Sequence, residues 1–240
     1  MNSLALFLFI FVGAVGCALA QAPQGVPREL ARERAARVSD VRYGLSFALT
    51  PGAPNVSGEV EIRFNLQRVS PLLLDYREGR VGLVQINGVA SPVVVENGHL
   101  ELFPGTLRRG ENIVRIQFVS RVATAGTPII RFEDRDDDSE YIYTLFVPMD
   151  ASMAFPCFDQ PDLKARFKLE VTAPESWMVI SNAPAESDAE STPQMRRTIF
   201  EETRPISTYL FAFAAGPFRK LEGGRGLPAV YARQSTVERA

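Results

Sequence analysis

The strongest constraint on the fold is an alternation of apolar and polar residues that starts at Val41 and recurs along most of the chain. From Val41 to Leu49 every second residue is apolar, as in a strand with one buried face. The pattern returns from Glu59 to Leu66 and from Arg166 to Ala173. About a dozen such short segments, separated by turn residues, predict an all-β sandwich.

The connections between these segments are rich in turn residues. Asn97-Gly98 lies between two short apolar runs, and because both residues tolerate a positive φ, it predicts a hairpin. His99, the one histidine of the chain, follows this turn, and we expect it to have a structural role at the surface. Further along the chain we predict a polar loop over Glu186–Gln194 and an aromatic strand over Thr208–Phe218.

The densest stretch of the sequence is YIYTLFVPMDASMAFPCFDQPDLKARF, from Tyr141 to Phe167. Tyr141 to Val147 predicts a strand that Pro148 ends, since proline has no N–H to donate to a sheet. The loop that follows combines prolines, aspartates and phenylalanines. We expect this loop to be held rigidly, and rigid loops often carry function.

The reactive side chains near this stretch do not form an active site on sequence grounds. Cys157 would need a base to act as a nucleophile, and His99 is the one histidine available, so we expect a buried thiol. Asp159 and Asp162 are a carboxylate pair of the kind that performs acid–base catalysis. Their proline and lysine neighbours favour loop caps and ion-pair partners instead. The sequence therefore indicates no catalytic residue.

An acidic run places Asp134, Asp136 and Asp138 at alternate positions, as at the start of a calcium-binding loop. The sixth position of such a loop is Ser139 instead of glycine, and the twelfth is Leu145 instead of a bidentate glutamate. We therefore predict a solvated hairpin loop here and no metal site.

Residues 1–20 are predicted to be a signal peptide. Leu4 to Val15 is apolar but short for a membrane span, and Ala18-Leu19-Ala20 is a small-x-small cleavage site. An alternative is a lipoprotein box, Ala14-Val15-Gly16-Cys17, whose use would lipidate Cys17 and attach the chain to a membrane. An uncleaved anchor is a third alternative. We expect export to the periplasm or the extracellular space.

Residues 21–40 are predicted to be a linker followed by a short charged helix over Arg28–Ser39. Glu29 and Glu33 interrupt the basic face of this helix, so a solvated helix is favoured over a membrane or nucleic-acid contact. The 26 basic and 28 acidic residues are interspersed along the chain. They form no basic stripe of the kind that binds nucleic acid.

The segment Tyr143–Phe167 resembles the aminopeptidase N family of zinc metallopeptidases. The comparable family text reads approximately T-Q-x-E-x-x-D-A-R-x-x-F-P-C-F-D-E-P-x-x-K-A-x-F. Supporting matches are Val38–Tyr43, Leu74-Asp75-Tyr76 and Ser181-Asn182, so the resemblance extends over roughly Arg28–Glu222.

This resemblance implies that residues 41–222 are the family's saddle-shaped N-terminal β domain, which packs on a thermolysin-like catalytic domain and roofs its active site. Residues 223–240 would then begin the linker toward that domain. We expect Phe155–Phe158 to lie near the contact between the domains. The domain alone would then expose an apolar patch and self-associate.

The sequence departs from the family where catalysis would take place. The zinc motif H-E-x-x-H and the G-x-M-E-N strand do not occur in these residues, so zinc is expected only in a catalytic domain, supplied in cis or in trans. Val147 stands where the family has the Glu or Gln that recognises the substrate amine, and Ser152 and Met153 replace a basic pair. Val147 is therefore either an altered substrate-binding residue or a core residue at the end of a strand.

Two functions follow. The first is the N-terminal, substrate-roofing domain of an exported zinc aminopeptidase that acts on peptides, inactive by itself. The alternative is a free-standing β-sandwich that binds a peptide or a protein. Residues Leu227–Ala240 resemble the lead into a catalytic domain and have no evident closing element, which favours the first.

Overall fold

A computed structural model describes residues 22–192, 194–224 and 229–239 of the chain. The predicted signal peptide, residues 1–20 with Cys17, lies outside the described residues. Within the described ranges, one α-helix precedes seventeen strands. No helix in these ranges is both long and apolar enough to cross a membrane.

In the described ranges, the helix and strands are joined by short turns and 3-10 segments. In chain order they are α1 (Arg28–Ala35), β1 (Val38–Ala48), β2 (Asn55–Leu66), β3 (Leu72–Asp75), β4 (Arg80–Ile86), β5 (Val89–Ala90), β6 (Val94–Glu96), β7 (His99–Leu102), β8 (Gly110–Arg121), β9 (Ile129–Asp134), β10 (Ser139–Thr144), β11 (Ala165–Pro174), β12 (Met178–Ser181), β13 (Ala185–Thr192), β14 (Met195–Phe200), β15 (Phe213–Gly216), β16 (Arg219–Leu221) and β17 (Val230–Ala232). The 3-10 segments are Pro104–Thr106, Ala151–Met153, Thr208–Leu210 and Gln234–Arg239.

The largest sheet has eight strands in the order β13-β14-β11-β1-β2-β8-β4-β5. Strands β11 and β1, third and fourth in this order, pair in parallel, and the other pairs are antiparallel. Tyr43 lies opposite Phe167, and Leu45 lies opposite Leu169, all of them buried. The alternating pattern therefore placed the apolar side chains on one face, and the predicted all-β fold is confirmed.

Three smaller sheets complete the fold. One has four strands in the order β12-β15-β10-β9, one has three in the order β3-β7-β6, and β16 pairs with β17. The buried apolar side chains form one continuous core. The fold is therefore a multi-sheet, sandwich-like β domain with a single hydrophobic core.

Aromatic rings fill the centre of this core. The Phe155 ring makes edge-to-face contacts with the rings of Tyr43, Phe47, Phe146 and Phe211, at centroid distances of 6.1, 6.5, 5.8 and 5.9 Å. Such contacts add stabilisation beyond the burial of apolar area. The loop of the densest sequence stretch therefore anchors the core.

Some predicted elements differ from the structure. The strand predicted to reach Val147 ends at Thr144, because the chain then turns back on itself. Most of the loop predicted over Glu186–Gln194 is instead β13, which pairs with β14 at the sheet edge, where the side chains of residues 186–188 are exposed. The strand predicted over Thr208–Phe218 is a 3-10 turn followed by β15.

Both ends of the β domain differ in detail from the expectation. The predicted helix ends at Ala35 instead of Ser39, and β1 begins at Val38. Near the other end of the chain, Val230–Ala232 pairs with Arg219–Leu221, so the described residues include the closing strand that the sequence had not indicated. The domain boundaries at residues 41 and 222 stay predictions.

Candidate functional site

The chain makes a tight, well-held turn directly after β10. The Asp150 amide donates to the Phe146 carbonyl at 2.9 Å, which closes the turn. Arg77 holds it from outside, since its Nη2 donates to the carbonyl of Met149 at 2.6 Å and to Asp150 Oδ1 at 2.5 Å. The predicted rigidity of this stretch is therefore built into backbone and guanidinium contacts.

Exposed apolar side chains lie just before this turn and elsewhere on the domain. We call them the apolar face: Tyr143, Leu145, Val147, Leu210 and Tyr231, which are 40%, 55%, 53%, 49% and 40% exposed. Tyr143 and Tyr231 line one shallow groove of about 370 Å³. Exposed apolar side chains at alternate positions of one segment, beside such a groove, are typical of a surface that another molecule covers. With its side chain half exposed, Val147 is not a core residue, so that alternative was wrong.

The Phe155–Phe158 loop lies inside the domain. Phe155, Cys157 and Phe158 are fully buried in the chain's own core. These side chains therefore form no part of an exposed contact surface, because their rings pack against strands of the same domain. Self-association of the domain stays a prediction, and the apolar face is the surface that would cause it.

Cys157 is an inert thiol, as the sequence predicted. Burial raises the pKa of the Cys157 thiol well above its usual value, and the nearby carboxylates of Asp159 and Asp75 raise it further. A thiol held in its neutral form is a poor nucleophile. Both ring nitrogens of His99 are already occupied, by Asp75 and by the carbonyl of Gly25.

Asp75 is the centre of a buried polar network. It accepts two hydrogen bonds from the Arg34 guanidinium at 2.6 and 2.7 Å, and one from the Asp159 amide at 2.7 Å. His99 Nδ1 lies 2.8 Å from Asp75 Oδ1. Burial alone would raise the pKa of Asp75, but the charge of Arg34 and these hydrogen bonds lower it below its usual value. The network connects α1, β3 and β7 with the loop between β10 and β11, residues 145–164, which we call the rigid loop.

Two expectations about this region need correction. His99 was predicted at the surface, yet it is 2% exposed, because Asp75 and Gly25 give its ring nitrogens partners inside the fold. The lead-in helix was predicted to be solvated, which holds for Arg28, Glu29 and Arg32, but Arg34 is 0% exposed, because its charge is matched by Asp75. The structural role expected for His99 is confirmed.

The carboxylates of Asp159 and Asp162 differ in burial and in their hydrogen-bond partners. Asp159 is buried and accepts hydrogen bonds from the Ser152 amide at 2.9 Å and from Thr208 Oγ1 at 2.8 Å. Burial raises the pKa of Asp159 above its usual value. Asp162 is exposed and accepts from Gln160 Nε2 at 3.0 Å. The predicted capping role is confirmed, but their partners are neutral donors instead of the expected cations.

The acidic run forms the predicted hairpin between β9 and β10, with Asp138 at a positive φ of 53°. It is not wholly solvated, because Asp134 is buried and accepts from Ser235 Oγ at 2.6 Å and from Arg233 Nη1 at 2.9 Å. In the described part of the chain no group of three His, Cys, Asp or Glu side chains could hold a metal ion. These residues therefore do not fit a catalytic zinc ion.

Several residues of this region were not identified from the sequence. Asp75 was noted only as part of a short match, although a carboxylate that ends the apolar run Leu72–Leu74 is itself a sign of a buried partner. Leu210 and Tyr231 carried no such sign. Tyr231 meets Tyr143 at the groove only through the tertiary fold, and Leu210 lies beside the groove through its carbonyl, which accepts from Asn182 Nδ2 at 3.0 Å.

Comparisons with known proteins give a consistent result. The family model described as the peptidase M1 N-terminal domain matches residues 39–210. Aminopeptidase N of Streptomyces lividans is 33% identical over 224 residues, which are 88% of this chain and 25% of that protein. The probable M1 family aminopeptidase 1 of Encephalitozoon cuniculi is 34% identical over 178 residues, 69% of this chain and 20% of that protein. Human glutamyl aminopeptidase is 39% identical over 71 residues, 30% of this chain and 7% of that protein.

Proposed function

The chain belongs to the peptidase M1 N-terminal domain family, and from that premise we propose that it is the N-terminal domain of an exported zinc aminopeptidase. It spans 25% of the length of its Streptomyces relative. Peptide hydrolysis would then require a zinc-bearing catalytic domain, in cis or in trans. The task of this domain is to dock on that partner and cover bound peptide.

The apolar face is the observation that carries this proposal. Three of its members, Tyr143, Leu145 and Val147, lie in the segment that resembles aminopeptidase N, and the turn beneath them is rigid. A preformed apolar surface loses little conformational freedom when it docks, which favours association. We assign its occupant as the catalytic domain, because the matched relatives extend far beyond the part that this chain covers.

Val147 gives this proposed site its specificity. A free α-ammonium loses water when it enters a closed pocket, and an acceptor must replace the lost hydrogen bonds. The valine side chain has no acceptor, and it is exposed next to the rigid turn. Amine recognition would then depend on carboxylates of the catalytic domain, or the enzyme would prefer longer or blocked peptides.

Export is supported by the apolar run Leu4–Val15 and the Ala18-Leu19-Ala20 site. Lipidation of Cys17 is the alternative processing and would place the enzyme at a membrane. Mass spectrometry of the mature N-terminus separates the two, because a chain that starts at Gln21 carries no lipid.

One observation favours the second candidate, a free-standing binding module. Strand β17 pairs back on β16, and Ser235 and Arg233 bind Asp134, so this region closes on the domain. The DNA downstream of the coding region distinguishes the two. An H-E-x-x-H sequence in frame or in a neighbouring gene favours the split enzyme, and unrelated sequence favours the module.

The first prediction concerns catalysis by the chain alone. A catalytic zinc needs three protein ligands, and His99 is the one histidine and is already bonded on both nitrogens. We expect the purified chain to hold no stoichiometric zinc and to hydrolyse no aminoacyl arylamide. Metal analysis that finds one tightly held zinc per chain, together with turnover, would refute this.

The second prediction concerns Val147 in the assembled enzyme. Val147→Glu adds a carboxylate at the amine position, so kcat/KM for free-amine dipeptides should rise by about tenfold, which is about 1.4 kcal/mol. Val89→Glu is the matched control, since Val89 is 66% exposed on the edge strand β5. A change within about twofold for Val147→Glu would mean that this residue does not face the amine pocket.

A further inference from the structure

The two ring nitrogens of His99 both face oxygen atoms that can only accept hydrogen bonds. Nδ1 lies 2.8 Å from Asp75 Oδ1, and Nε2 lies 2.8 Å from the carbonyl oxygen of Gly25. Asp75 is ionised, since it accepts from the Arg34 guanidinium on both of its oxygens. A neutral imidazole has one N–H and would turn a lone pair toward one of these oxygens. The geometry therefore fits a ring that carries both protons.

One of these two bonds joins His99 to the lead-in segment, residues 22–27. The same segment has two further contacts with the β6–β7 hairpin. Asn97 Nδ2 donates to the carbonyl of Ala22 at 2.8 Å, and the Ala22 amide lies 3.4 Å from Glu96 Oε2. The Gly25 contact is the one of the three that depends on an imidazole proton.

The charged groups around the ring come from every neighbouring element. They are Asp75 on β3, Arg34 on α1, Glu96 on β6, and Asp159 and Cys157 in the rigid loop beside Asp75. The pKa of Asp75 is lowered and that of the Cys157 thiol is raised, each away from neutrality, whereas burial raises the pKa of Asp159. Histidine is the side chain that ordinarily changes charge between about pH 5 and 8. Asp159 bonds to Ser152 and Thr208, so within the described residues His99 is the titratable side chain of this buried network that bonds to residues 22–27.

We propose that His99 is a pH-sensitive clasp that holds residues 22–27 on the β6–β7 hairpin. The doubly protonated ring donates to Gly25 and to Asp75 at once. Loss of one proton removes one of these bonds, so the clasp is closed at low pH and loosens as the pH rises. The Arg34–Asp75 pair remains in place, because neither partner loses its charge in this range.

The test uses the chain purified without a histidine tag, so that His99 gives the only imidazole signals. A ¹H–¹⁵N titration of the ring and backbone ¹⁵N relaxation of Gly25 and Val26 are measured on the same samples. We expect both ring nitrogens to be protonated at low pH. Backbone order parameters should then fall from about 0.85 to below about 0.6 with the same pH midpoint as proton loss.

Two variants separate the clasp from a general loosening. His99→Gln cannot donate to both oxygens, so its order parameters at Gly25 should be low and independent of pH. Asn97→Gly removes the pH-independent contact with Ala22 and keeps the positive φ of this turn, 50° at Asn97, so its pH dependence should persist. A single neutral tautomer at all pH values, or order parameters that ignore ring deprotonation, would overturn the proposal. The wild-type titration decides this even if a variant fails to fold.

Discussion

Replacing Asp75 with asparagine is expected to lower the free energy of unfolding by about 3–5 kcal/mol, because it leaves the buried Arg34 guanidinium without its counter-charge. Arg34 is 0% exposed and donates to both Asp75 oxygens. An asparagine would also present N–H donors to the amide of Asp159 or to Arg34, which are themselves donors. Urea denaturation followed by circular dichroism measures the loss as a lower midpoint.

The matched control is Asp188→Asn, which removes a carboxylate that is exposed on the edge strand β13. We expect this variant to differ from the wild type by less than about 0.5 kcal/mol. A loss for Asp75→Asn that is as small as this would mean that the network contributes little to stability.

The same pair of proteins gives a pH test. The pKa of Asp75 is lowered in the folded state, so its ionised form contributes stability above the unfolded pKa, and this contribution is lost as the pH falls. The difference in stability between wild type and Asp75→Asn should therefore shrink below about pH 4. A difference that stays constant into acid would contradict an ionised Asp75.

Replacing Phe155 with alanine is expected to cost about 3–5 kcal/mol, since it opens a cavity among four aromatic rings at the centre of the core. Phe155 is 0% exposed, and its neighbours come from strands and loops far apart in the chain. Phe155→Leu retains most of the volume and should cost less. Thermal and urea unfolding of both variants provide the comparison.

Phe132→Ala is the control for loss of a ring at the surface. Phe132 is 38% exposed and lies 4.4 Å from the Arg233 guanidinium, a contact worth about 0.5–1 kcal/mol at exposed sites. If Phe155→Ala cost no more than Phe132→Ala, the loop around Phe155 would not be part of the core, and its earlier assignment to a domain interface would regain support.

The parts of the fold that were predictable are those with local signals. Alternation over Val41–Leu49 and Arg166–Ala173 identified β1 and β11, because one face of each strand is buried. Asn97-Gly98 identified the β6–β7 hairpin, since its two residues adopt the positive φ values of 50° and 81° that the turn requires. The parallel pairing of β1 with β11 had no signal within either strand.

The parts that were missed depend on partners far away in the sequence. Arg34 and His99 were predicted to be solvated or at the surface, as isolated charged and polar residues usually are. They are buried because Asp75 accepts hydrogen bonds from both side chains. Asp75 is 41 residues from Arg34 and 24 residues from His99 in the sequence. Strand β13 was predicted as a loop, since a polar edge strand is defined by backbone pairing with β14 and not by apolar side chains.

For the candidate site, the segment was predictable and its exposure was not. Val147 was singled out through resemblance, while the periodicity placed it inside a strand. The structure ends that strand at Thr144, so Leu145 and Val147 become exposed. The opposite occurred at Phe155, which was expected near an interface and is buried. The exposure of Val147 and the burial of Phe155 both depend on how the loop packs against the rest of the domain, and no local sequence pattern predicts that packing.

The proposed role is tested most directly by hydrogen exchange of residues 143–147 in a chimera. In it, this chain replaces the matched region of the Streptomyces lividans aminopeptidase N, and exchange is compared with that of the chain alone. Docking covers the apolar face, so we predict that exchange of these amides slows by about tenfold or more in a zinc-loaded, active chimera. Exchange at the rate of the free chain, in a chimera whose catalytic region is folded and holds zinc, would contradict the assignment of this chain as its N-terminal domain.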